Sequence, residues 1–256
     1  MTQAFDPLSS FRMDNRVAVV TGASSGIGAR AARVFDALGA TVVLAARRTD
    51  RIEALAGELR SADAVTCDVG ERGASAAMID AAFERHGRID VVFANAGISN
   101  TVPAIKEDLG DFNQVIAIDL VAQFEVAQAA VKHMKMMAGG SIVNVASAAA
   151  FSSTSVLPQA AYVAAKAGLV GLTRELAMQW ARYDVRVNAL CPGMFPSEMT
   201  APLVDSDDLR GAFEAEVPLR RIARPDELDG AIAFLATTAS SYVTGQALVV
   251  DGGGGL

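Results

Sequence analysis

The chain of 256 residues contains only two cysteines, Cys67 and Cys191, 124 positions apart and outside any C-x-x-C pattern. That scarcity argues against a disulfide-stapled fold or a cysteine metal site and leaves two buried thiols as the expectation. Histidine is as scarce: His86 and His133 stand far apart without metal-ligand spacing, so both are expected at the surface or at helix ends. No uninterrupted apolar run reaches the roughly 18–20 residues of a membrane span. The segment Met1 to Arg12, with Asp6 and Pro7, has no apolar core of signal-peptide length. A soluble, cytoplasmic protein is the resulting expectation. Positive charge is also in deficit, with a net charge of −7, which disfavours nucleic acid or an anionic membrane as partner, since both reward clustered Lys and Arg. Pro/Ser-rich linkers, repeats and low-complexity tracts are missing too, so one domain spanning 1–256 is expected.

What remains is a chain that is 52% hydrophobic and 20% charged, long enough to bury a full core. Short β-branched runs, apolar on both faces, alternate with longer helical segments. The strands are expected at Val17–Val20, Thr41–Leu44, Ala64–Cys67, Asp90–Phe93, Ser141–Val145, Val185–Asn188 and Ala247–Val250. The helices are expected at Ile27–Leu38, Arg51–Arg60, Ala74–Arg85, Leu109–Met137, Ala160–Arg182 and Pro225–Thr237, with Gly39 and Gly139-Gly140 as stops. Such alternation with helical crossovers predicts an α/β, Rossmann-type doubly wound parallel sheet with helices on both faces.

The first strand runs into Gly22-Ala23-Ser24-Ser25-Gly26-Ile27-Gly28 and then a helix. A tight glycine turn feeding a helix N-terminus is what a dinucleotide pyrophosphate needs, because the backbone must approach the phosphates closely. About twenty positions on, where the adenosine ribose is met, stand Arg47 and Arg48 rather than a carboxylate. Arg47, with Arg48 beside it, can pair with a 2′-phosphate as a charge-assisted fork. The alternative is that both merely solvate the start of a helix. NADP(H) is therefore the preferred cofactor, with NAD(H) as the alternative.

The glycine turn resembles the T-G-x-x-x-G-x-G loop of the short-chain dehydrogenase/reductase family. Further matches follow in order over nearly the whole chain: Asn95-Ala96-Gly97, Ser147, Tyr162-Val163-Ala164-Ala165-Lys166, Cys191-Pro192-Gly193 and Tyr242-Val243-Thr244-Gly245-Gln246. The resemblance implies seven strands in the order 3-2-1-4-5-6-7. It further implies hydride transfer between a nicotinamide cofactor and a small-molecule ketone or secondary alcohol. Asp68, with Val69, is implied to meet the adenine; the competing reading of Asp68 is a helix cap. Asn95, Ala96 and Gly97 are implied to pass the cofactor's backbone side, Pro192 and Gly193 to pack by the nicotinamide, and Ser197 to take the place of a threonine that bonds the carboxamide.

Tyr162 and Lys166 lie four apart on an expected helix and so share a face. Carbonyl reduction needs a proton at oxygen as hydride reaches carbon; a phenol can supply it, and a neighbouring ammonium favours the phenolate needed for the reverse direction. Lys166 can also hydrogen-bond the nicotinamide ribose. Ser147, after the fifth strand, can donate to the carbonyl oxygen, with Ser153 and Ser155 of the intervening Phe151–Ser155 segment as competitors. One position departs from the family: its helix asparagine is replaced by Asp119. A backbone role survives that change. The carboxylate itself either pairs with Lys166 or makes a local structural bond.

Segment 193–216 reads as a mobile lid over the substrate. Met194–Thr200 and Gln179-Trp180-Ala181-Arg182 are similar to the gluconate 5-dehydrogenase group, implying a polyol or sugar-acid ketone. Two rivals remain: a 3-oxoacyl thioester reductase, with Arg220, Arg221 and Arg224 meeting an acidic carrier, and a non-catalytic nucleotide-binding regulator. Trp180 and the Met134–Met137 cluster are expected to pack. The Val249–Gly253 end resembles tails that meet another subunit, which implies a homotetramer.

Overall fold

A computed structural model describes residues 6–154 and 156–255. Among these, β1 (Val17–Thr21), β2 (Thr41–Ala46), β3 (Ala62–Thr66), β4 (Val91–Ala94), β5 (Gly140–Val145), β6 (Val185–Pro192) and β7 (Ala247–Val250) form one sheet in the order β3-β2-β1-β4-β5-β6-β7. Every pairing is parallel, as the helical crossovers require. β1 is buried along its whole length. Its side chains alternate between the faces: Ala18 and Val20 join one core layer, Val17 and Val19 the other. β2 repeats the division, with Val42 and Leu44 on one side and Val43 and Ala45 on the other. Continuous apolar runs are thus two buried faces read in turn.

The first layer is covered by α1 (Gly26–Ala37) and α9 (Asp229–Ala236), which contact each other. Phe35 of α1 meets Phe93 of β4 edge-on at 5.8 Å, worth about 1 kcal/mol beyond burial. The second layer is covered by α3 (Ala74–His86), α5 (Ala122–Met134) and α6 (Ala160–Trp180). Trp180 and Met134 are buried there, as expected, whereas Met136 is exposed. His86 and His133 end α3 and α5, beside Asp63 and Asp80. Both cysteines are buried and unpaired.

The element bounds differ from expectation in informative places. α2 occupies Thr49–Glu58, two residues early, because the Arg60 N–H is taken by Asp36 and cannot continue the helix. The expected Leu109–Met137 helix is α4 (Leu109–Ile116), a π-turn (Ala117–Val121) and then α5. It ends at Met134, where Met136 and Met137 bond back three residues instead of four. By length and composition Leu109–Met134 could cross a membrane, yet 56% of its apolar window is buried in the fold. The expected Pro225–Thr237 helix opens as a 3-10 turn, Pro225–Leu228, before α9. Its first turn is closed by Glu227, whose carboxylate accepts the Arg224 N–H at 2.8 Å.

Candidate active site

The turn between β1 and α1 leaves no room for a side chain at Gly22 or Gly28. Gly22 sits at φ +65°, and a Cβ there would lie 2.8 Å from Asn95 Nδ2; one on Gly28 would lie 2.3 Å from the Gly22 carbonyl oxygen. Asn95 ties the turn to the end of β4. Its Nδ2 donates to the Thr21 and Gly22 carbonyls (3.0 and 3.3 Å), and Thr21 Oγ1 accepts the N–H groups of Asn95 and Ala96. Gln123, fully buried in α5, donates to the Ala96 carbonyl from behind. Sequence reasoning passed over Gln123; its signal was a lone amide inside the apolar stripe of a core helix.

Above this frame opens a cleft of about 410 Å³. Gly22, Ser24, Ser25, Gly26 and Ile27 line one end, with Gly28 buried beneath. Arg47, Arg48, Asp68 and Val69 form the far end, and Asn95, Ala96 and Gly97 the wall. Ser147, Tyr162 and Lys166, with Pro192, Gly193 and Ser197, complete it. All of the expected cofactor segments therefore meet in one place. The close-packed glycine turn and the cationic end fit a phosphate-bearing dinucleotide.

At the cationic end, Arg48 rather than Arg47 holds the built position. Its guanidinium donates to Ser24 Oγ (2.8 Å) and Ser25 Oγ (2.9 Å), and to Glu198 at 2.7 Å. Arg51 grips the other oxygen of Glu198. The hydrogen bonds from Arg51 and Arg48 hold the Glu198 carboxyl down at about 2. Arg47 stands 3.9 Å from Asp68. Asp68 caps no helix: its Oδ1 accepts the Gly70 N–H at 2.9 Å, while α3 starts at Ala74 behind Gly73. Ser197 lies over Gly26, whose Cβ would approach its own to 3.1 Å.

The π-turn, packed against α6, turns Asp119 inward, where it is fully buried. Its Oδ1 accepts the Ile98 N–H at 2.8 Å, and its Oδ2 lies 3.1 Å from Lys166 Nζ. Gly97 makes that placement feasible, since a Cβ there would stand 2.8 Å from Oδ2. Lys166 also donates to the Val145 carbonyl at 2.9 Å and lies 5.4 Å from the centre of the Tyr162 ring. Burial opposes both charges. For Lys166, Asp119 and Tyr162 outweigh it and hold the ammonium above its usual value. For Asp119, burial prevails over Lys166 and the Ile98 N–H and draws the carboxyl upward. Behind them burial pushes the Cys191 thiol up to about 12, so it stays neutral.

Ser147 Oγ accepts the Ala149 N–H at 3.1 Å, which leaves its own proton to be donated elsewhere. Ser147 and Tyr162 border both the cleft and a second cavity of about 300 Å³. Ser153 borders only the second, and Ser155 lies outside the described residues. Over that cavity fold α7 (Ala201–Val204) and α8 (Asp207–Glu216). Of the three arginines beyond α8, Arg220 bonds the Ala215 carbonyl, while Arg221 and Arg224 face Glu227 and Asp226.

Residues 22–254 match the family model described as enoyl-(acyl carrier protein) reductase. The chain is 39% identical to D-threitol dehydrogenase of Mycolicibacterium smegmatis, covering 95% of this chain and 94% of that one. It is 40% identical to cis-4-hydroxycyclohexanecarboxylate dehydrogenase of Sinomonas cyclohexanicum, covering 93% and 96%. Among solved structures, a gluconate 5-dehydrogenase from Burkholderia cenocepacia in complex with NADP and tartrate superposes with a TM-score of 0.92 at 35% identity, covering 97% and 98%. With a sheet order, a glycine turn and a Tyr162/Lys166 helix that all agree, the chain belongs to the short-chain dehydrogenase/reductase family and is a hydride-transferring oxidoreductase.

Proposed function

We propose that this chain interconverts a ketone and a secondary alcohol with NADP(H) in preference to NAD(H). Ser147 and Tyr162 act on the substrate oxygen, and Lys166 and Asp119 position them. The observation that carries the reading is the wall that Ser147 and Tyr162 share between cleft and cavity. A bound dihydronicotinamide supplies the hydride. In reduction, the Ser147 hydroxyl donates a hydrogen bond to the carbonyl oxygen, and the Tyr162 hydroxyl delivers its proton there as negative charge develops. In oxidation, the phenolate takes the proton back. Lys166 keeps its charge beside the phenol because Asp119 and the Val145 carbonyl fix the ammonium in place. Gly22 to Gly28, Asp68, Val69, Asn95 to Gly97, Pro192, Gly193 and Ser197 would cradle the dinucleotide, and Arg48, assisted by Arg47, would take the 2′-phosphate.

Two relatives are named for alcohols, a neutral polyol and a hydroxylated cyclohexanecarboxylate, which supports a hydroxylated substrate of similar size. Segment 193–216 serves as its lid. Exposed Leu109, Val121, Tyr242 and Val249 support association of copies of this chain, which we read as a homotetramer, and light scattering at the mass of a 26.6 kDa monomer would contradict it. The activity is tested by NADPH consumption against cyclic ketones, ketoses and an acetoacetyl thioester. Turnover of a ketone at a rate that NADH does not match is expected. Tight NADPH binding with no turnover of any carbonyl would overturn the reading in favour of a nucleotide-binding regulator.

A further inference from the structure

The cavity beyond Ser147 and Tyr162 carries a charge that hydride transfer does not demand. Its polar lining is uncharged at Ser99, Thr101, Ser152 and Gln159, and the rest is largely aliphatic. Among the described residues that line it only two carry carboxyl groups, Glu216 and Asp251, and there is no Lys, Arg or His. Both carboxylates are held in place. Glu216 accepts the Thr154 hydroxyl at 2.6 Å; Asp251 accepts the N–H of Gly253 at 2.8 Å and of Gly255 at 2.7 Å. The lid arginine is committed elsewhere: Arg210 pairs with Asp207 and bonds the Val204 carbonyl. A carboxylate-bearing substrate would meet two carboxylates and, among the described lining residues, no Lys, Arg or His, whereas neutral hydroxyls meet donors and acceptors.

We propose that this cavity selects uncharged polyols and ring alcohols, with their ketones, and excludes sugar acids and other carboxylates through Glu216 and Asp251. The inference rests on the site being the alcohol and ketone site described above. Its test is kcat/KM with saturating NADPH on matched pairs that differ in charge and little in shape: 4-oxocyclohexanecarboxamide against 4-oxocyclohexanecarboxylate, and a neutral ketohexose against 5-ketogluconate. The wild type is expected to prefer the neutral member by about tenfold or more. Glu216→Gln should narrow that ratio at least several-fold. Raising ionic strength from about 0.01 M to about 1 M should narrow it in the unmutated enzyme. Equal or better turnover of the acids overturns the inference and leaves the dehydrogenase intact. A preference that neither salt nor Glu216→Gln alters also overturns it, because charge would not be its cause. No turnover of either member of any pair overturns the underlying reading, and this inference with it.

Discussion

Asp119 and Lys166 form a buried pair, Oδ2 to Nζ at 3.1 Å, with both side chains removed from solvent. Where the family carries an amide, this chain sets a negative charge against the ammonium that faces Tyr162. The pair is anchored at both ends, by the Ile98 N–H on Asp119 and the Val145 carbonyl on Lys166. A buried charge held this way stabilises little by itself, but removing one partner strands the other.

Asp119→Asn is therefore expected to change the pH response more than the maximal rate. Without its counter-charge, burial is left to pull the Lys166 ammonium down, so the loss of activity at high pH should begin about one pH unit lower. A pH–rate profile of kcat/KM for both proteins checks this. An unmoved profile would reduce Asp119 to a local structural role.

Arg48 and Glu198 yield the second expectation. Glu198 occupies the guanidinium that a 2′-phosphate would need, and its carboxylate repels that phosphate. Glu198→Gln should tighten NADPH binding about threefold, while Arg48→Ala should weaken it about tenfold or more. NADH affinity should change little in either variant. Fluorescence titration of both cofactors decides the matter, and equal losses of NADH and NADPH would mean that Arg48 only braces the Ser24-Ser25 turn.

Much of this arrangement was legible in the residues themselves. The G-x-x-x-G-x-G turn after an all-apolar strand announced the cleft because only glycine fits at Gly22 and Gly28. The four-residue spacing of Tyr162 and Lys166 put them on one helical face. What stayed hidden depends on geometry that local sequence does not encode. Which of two adjacent arginines folds over the turn is set by the chain direction after Ala46. Whether Asp119 reaches Lys166 depends on a π-turn inside an otherwise ordinary helical pattern. Glu198 meets Arg48 across 150 residues of chain, and no spacing rule covers that distance. The strand order likewise came from the resemblance and not from periodicity.

Asp90, at the foot of β4, supplies a stability expectation. Its carboxylate accepts the Val17 N–H at 2.8 Å and pairs with Arg16 and Arg88. Burial would raise its pKa, but Arg88, Arg16 and the Val17 N–H together hold it below the ordinary carboxylate value. A depressed folded-state pKa stabilises the protein above the unfolded value, about 4, and that stability is lost as pH falls through the folded value. Asp90→Ala should cost about 3 kcal/mol at neutral pH. Urea melts should then show the gap to wild type shrinking below about pH 4. A gap independent of pH would assign the loss to packing instead.

The central claim is that Tyr162 moves the proton while hydride moves to carbon. Its most direct test is the turnover number of Tyr162→Phe with saturating NADPH and a working ketone, alongside the NADPH dissociation constant of the same protein. The expected result is a fall of about 10²- to 10⁴-fold in kcat, the scale of a lost general acid, with cofactor affinity essentially kept. A Tyr162→Phe variant that retains wild-type turnover would contradict the account and move the search for the acid to another group.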